Sequence, residues 1–190
     1  EGGQIEKDGD SYVSRSNNWG NPGGTDRAVS ESDNSLKGAR ATGSGAGQGI
    51  PASCPAIFIG NNGDTAGGVY STKPGDNLPK QISAIGSVNT KLAWGGSQGG
   101  DYNVTYDVWF AKSPPTVKYD DGLDGFIMVW LSKPSNQWPT SGPINARDTT
   151  KTGTTKIAGQ AYDSYVGPPG AFAQGSRPTA PVISYAPTSP

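Results

Sequence analysis

The sequence predicts an all-β fold, a sandwich or barrel of short strands, and three observations carry that expectation. Only 32% of the 190 residues are hydrophobic, while glycine and proline supply 29 and 16; this suits strands that bury one face and are joined by many turns. Candidate strands recur at roughly 8–12-residue spacing with Gly, Pro, Asn and Asp between them. No segment sustains the i, i+3, i+4 apolar spacing of a helix. Five tryptophans and eight tyrosines are spread along the chain, whereas chains that stay disordered are poor in aromatics. The length fits a single domain, 1–190.

Taken in order, Ser11 to Trp19 reads as an opening strand closed by the turn residues Gly20-Asn-Pro-Gly-Gly24. Residues 34–48 have no helical period and read as a loop or a weak edge hairpin. Pro55-Ala-Ile-Phe-Ile-Gly60 is an apolar run between Pro and Gly, hence a buried strand, and Ile82 to Leu92 is expected to supply another. The clearest strand is Asp101 to Phe110. Tyr102, Val104, Tyr106, Val108 and Phe110 alternate there with Asn103, Thr105, Asp107 and Trp109. In the next strand, Phe126 to Leu131, one face carries Ile127, Val129 and Leu131, the natural core face, and the other Phe126, Met128 and Trp130. Lys156 to Gly159, Gln160 to Gly167 and Val182 to Tyr185 complete the strands.

Composition excludes several function classes. A net charge of -1 without any run of Lys and Arg leaves no footprint for nucleic acid. No apolar stretch approaches the ~20 residues that span a bilayer, so no membrane partner is expected, and the polar start, Glu1 to Ile5, is not a signal peptide. With no histidine and one cysteine, Cys54, neither an internal disulfide nor the usual zinc, copper or iron sites can form. No cofactor is expected. The acidic cluster from Asp120 to Asp124 reads as turn chemistry, with an oxygen-ligated calcium as the alternative.

Four landmarks, in order, carry a family resemblance: Ser16-Asn-Asn-Trp-Gly20, Tyr106-Asp-Val-Trp-Phe110, Ile127-Met-Val-Trp-Leu131, and Gly159 to Gly167 followed by Val182-Ile-Ser-Tyr185. Each alone is weak. Together they cover nearly the whole chain, which resembles glycoside hydrolase family 12, the endo-β-1,4-glucanases. The resemblance implies two antiparallel sheets curved into a concanavalin-like jelly roll, with a concave cleft for a β-1,4-linked glucan, and a secreted protein.

That family hydrolyses with retention, which needs two carboxylates about 5–5.5 Å apart. By the resemblance the nucleophile stands two residues before Met128, and this chain has Phe126 there. The second glutamate follows the segment matching Val182 to Tyr185, and the chain stops at Pro190 before reaching it, so a C-terminal truncation is expected. Two aspartates are weak catalytic candidates. Asp124 would share the face of Phe126 on an unbroken strand, displaced by about 6–7 Å, and Asp107 matches an aspartate that tunes the nucleophile by like-charge proximity. The glucan-binding candidates are Asn17, Trp19, Asp107, Met128, Trp130 and Trp138. Of these Trp19 matches a cleft tryptophan on which a glucose ring stacks, with Asn17 beside it for hydroxyls. Met128 and Trp130, like Trp109, read as packing before ligand contact, because large side chains also line ordinary sheet interiors.

Three readings follow. The first is a glucan-recognising member of this fold with catalysis lost or incomplete. The second is an active retaining endo-β-1,4-glucanase whose chain continues beyond these residues. The third is a structural or surface-assembly protein that reuses the jelly roll. If a central strand is missing, a partner chain or a second copy is expected to supply it.

Overall fold

The computed structural model describes residues 4–7, 12–15, 25–30, 36–42, 55–63, 69–71, 78, 80–95, 102–112, 124–132, 150–167 and 181–189. They form twelve strands: β1 (Gln4–Lys7), β2 (Tyr12–Arg15), β3 (Thr25–Ser30), β4 (Leu36–Thr42), β5 (Ala56–Phe58), β6 (Asn61–Gly63), β7 (Val69–Ser71), β8 (Val104–Phe110), β9 (Gly125–Ser132), β10 (Gly153–Ile157), β11 (Gln160–Gly167) and β12 (Val182–Pro187). There is no α-helix among the described residues. A strand precedes the expected opening one, and the edge hairpin expected near residues 34–48 is β4 paired with β3. Ile82 to Leu92 is not a strand: a single 3-10 turn, Ile82–Ala84, leads into extended chain with Ile82, Val88 and Leu92 exposed. Without a paired neighbour, β-branched composition alone does not make a strand.

The largest sheet has five strands in the order β10-β11-β12-β9-β8, and a smaller one has the order β1-β2-β5. Within the large sheet β10/β11, β11/β12 and β8/β9 run antiparallel, whereas β12 runs parallel to β9. The all-antiparallel expectation therefore fails at one pair, where a long intervening segment leaves direction unconstrained by a tight turn. β12 is bonded on both sides. The β10–β11 hairpin closes through Ala158 and Gly159, at φ 49° and 86°, the paired positive angles of a two-residue turn whose twist suits the flanking strands. The strand expected over Lys156 to Gly159 thus ends at Ile157.

Register places Gly167, Val182, Phe126 and Trp109 in one row across the sheet, and Tyr165, Ser184, Met128 and Asp107 in the next. Side chains of one row share a face. On this face the rings of Trp130 and Tyr165 pack around Ala186, with Met128 against them. The expected core face of β9 proves the less buried one. Ile127, Val129 and Leu131 are half-buried, while Phe126 and Trp130 are buried. The reason lies in β12, which offers only Val182, Ser184 and Ala186 on the ring-bearing side. Small residues beside large ones let the layer close at native density. On the opposite face Ile183 and Val108, which flank Ile127, remain exposed.

Among the described residues, two buried side-chain polar atoms have no hydrogen-bond partner, Ser184 Oγ and Trp130 Nε1. A buried hydroxyl that makes no bond forfeits its hydration and gains nothing, whereas a methyl in its place has nothing to lose. Ser184→Ala is therefore expected to raise the free energy of unfolding by about 1 kcal/mol, read by urea denaturation.

Candidate functional site

The alternation in β8 and β9 brings the chemistry-bearing side chains to one face. Asp107 lies opposite Met128, Trp109 opposite Phe126 and Thr105 opposite Trp130. The register slips by one between Val104 and Thr105, leaving Leu131 as the extra residue on β9; such a bulge sharpens the local twist at the end of the pair. The rings of Trp109 and Phe126 stack with centroids 4.1 Å apart and planes 17° from parallel. Beyond the area they bury, such a pair contributes about 0.5–1.5 kcal/mol. Phe126 is 6% exposed and Trp109 is 49% exposed. The phenyl ring is thus the buried partner and the indole the one that meets solvent.

Asp107 is exposed at the strand surface and accepts a hydrogen bond from Thr105 Oγ1 at 3.1 Å. Partial loss of hydration beside its strand neighbours raises its pKa from 3.8 to about 6, and the Thr105 bond opposes that shift. Loss of hydration penalises the charged form, so a sizeable share of Asp107 is a neutral acid in mildly acidic solution.

Asp124 occupies a different setting. It stands just before β9, with its backbone N–H bonded to Phe110 O at 2.9 Å. Its carboxylate accepts the Lys112 backbone N–H at 2.7 Å and faces Lys112 Nζ at 3.2 Å. These bonds lower its pKa, the backbone N–H first and the ammonium after it. The group is thereby engaged as a clamp closing the open end of the β8–β9 pair. Asp163, also on the ring-bearing face but towards its far side, is held by Thr154 Oγ1 at 2.8 Å and Lys151 Nζ at 3.3 Å.

Of the residues expected to bind glucan, Asp107, Met128 and Trp130 are brought together, with Phe126 beside them. Asn17, Trp19 and Trp138 lie outside the described residues. Trp130 is buried against Tyr165 and Ala186, which makes it a wall of the face rather than its surface. The stack of Trp109 on Phe126 was not foreseen. Strand parity put both rings on comparable faces, but only the pairing register shows that they meet.

The family model for glycosyl hydrolase family 12 matches residues 10–187. Among solved structures, the chain is similar to a metagenome-derived glycoside hydrolase family 12 endoglucanase, at 20% identity and a TM-score of 0.61, covering 99% of this chain and 71% of that one. It is similar to endoglucanase Cel12A from Rhodothermus marinus, at 20% identity and a TM-score of 0.62, covering 99% and 72%. A thermostable cellulase derived from that enzyme matches at 19% identity and a TM-score of 0.52, covering 100% and 74%. The likeness is one of fold, the jelly roll. No curated protein sequence matches significantly.

The raised pKa of Asp107 has a consequence for stability. A carboxyl whose pKa is higher in the folded chain favours folding while protonated, and that contribution is lost as pH rises through the folded value. Stability of the native chain is expected to decline between pH 3.8 and about 6 relative to Asp107→Asn, which cannot ionise. Denaturation midpoints of both proteins across that window check it.

Proposed function

The chain belongs to glycosyl hydrolase family 12, and from that premise we propose that it recognises a β-1,4-linked glucan on the β8–β9 face without hydrolysing it efficiently. The observation that carries this reading is the buried phenyl ring of Phe126 at the position to which the family resemblance assigns the nucleophile. Retaining hydrolysis needs one carboxylate to attack the anomeric carbon and another to hand a proton to the leaving oxygen. A phenyl ring has no lone pair with which to attack. Its ring is committed to Trp109, so the position is filled by packing rather than left open for a displaced carboxylate to enter.

Recognition asks for less. A pyranose presents an apolar ring face and a rim of hydroxyls, so it needs an aromatic surface with hydrogen-bonding groups beside it. Trp109, Asp107 and Thr105 on one face of β8 supply that combination. Asn17, Trp19 and Trp138 belong to the same proposal. On this reading the protein acts outside the cell, because a polymeric glucan does not cross a membrane to reach it.

The test is reducing-sugar release from barley β-glucan, carboxymethylcellulose and xyloglucan, run beside a binding titration on the same polymers. Binding to at least one polymer with release at background is the expected outcome. Turnover well above background would end the claim of impaired catalysis, and absence of both would favour a structural use of the fold.

A further inference from the structure

We propose that Trp109, braced from behind by Phe126, is itself a sugar-stacking platform, so that this chain presents an aromatic subsite where hydrolytic chemistry would need a carboxylate. The proposal rests on the glucan-binding reading above and names the subsite within it.

One face of the indole is covered by the Phe126 ring at 4.1 Å, yet the side chain is 49% exposed; that exposure must come from its outer face and edges. Phe126, at 6% exposed and set between Val182 and Trp109 in the row across the sheet, is a fixed support. The indole therefore keeps its plane without help from a ligand, and a ligand does not bear the entropy of ordering it. Finally, Asp107 lies two residues along the same face, about 6–7 Å away, with Thr105 beyond it and bonded to it.

This pattern selects its ligand class. A flat exposed aromatic favours a face of C–H groups, and a β-linked glucose unit, with every ring substituent equatorial, has such a face on either side. The carboxyl group exchanges hydrogen bonds with rim hydroxyls and, when ionised, disfavours anionic ligands. An aliphatic or aromatic ligand would leave Asp107 without partners beyond Thr105.

Trp94 provides an internal control. It is exposed to a similar degree, 45%, but lies in unpaired chain after the 3-10 turn, away from β8 and β9 in sequence. Affinity for barley β-glucan and for cellohexaose, measured by calorimetric titration, is expected to fall about tenfold in Trp109→Ala and to be unchanged in Trp94→Ala. Because Trp109→Ala also unstacks Phe126, the unaltered protein supplies a second readout. Oxidation by N-bromosuccinimide, mapped by mass spectrometry, is expected to be slowed at Trp109 and not at Trp94 when cellohexaose is saturating. If the unaltered protein binds but Trp109 is oxidised equally fast with and without sugar, the platform is overturned and the glucan reading stands. If the unaltered protein binds neither barley β-glucan nor cellohexaose, both fall together.

Discussion

The register between β8 and β9 is the constraint on which the face of this molecule depends. Side chains alternate with a period of two, so a slip of one residue would carry Asp107 and Trp109 away from Met128 and Phe126 to the opposite side of the sheet. Two interactions hold one end of the pairing. The Trp109–Phe126 stack fixes one position by shape, and just beyond it Asp124 gathers the Lys112 backbone N–H and ammonium. At the other end the bulge at Leu131 takes up the mismatch. The ion pair itself is worth little, because the lysine is 86% exposed and surface pairs are screened; the backbone hydrogen bond to the carboxylate is the firmer part of the clamp.

The same register sets the electrostatics of the face. In a retaining hydrolase two neighbouring carboxylates raise one another's pKa by repulsion. Here the neighbour of Asp107 along the row of β9 is Met128, with Phe126 on the diagonal, and its pKa rises through lost hydration with no charged partner contributing. A neutral or partly neutral acid beside an aromatic surface is suited to exchanging hydrogen bonds with hydroxyls.

Much of this was legible in the sequence. Alternation over Val104 to Phe110 and the aromatic-aliphatic split of Phe126 to Leu131 located the two strands and sorted their faces, because a period of two is a strong local signal. The choice of buried face was misjudged, since it depends on β12, whose small residues Val182, Ser184 and Ala186 become neighbours of β9 only through a parallel pairing. No local pattern encodes that pairing. Ile82 to Leu92 misled for the related reason that strand-forming composition needs a partner strand before it forms one. The Trp109–Phe126 contact was equally invisible, since it joins residues of two strands whose relative offset is set by the whole sheet. Phe126 itself was legible only through the family resemblance, which identifies the position but not the stack that fills it.

The measurement that bears most directly on the central claim is a titration of isotope-labelled protein with cellohexaose followed by NMR over hours. Saturable shifts at the Trp109 indole N–H, the Met128 methyl and the Thr105 and Asp107 amides, with no growth of reducing-end anomeric signals, are the predicted result. Shifts confined to residues away from β8 and β9, or a steady rise of new anomeric signals, would contradict it.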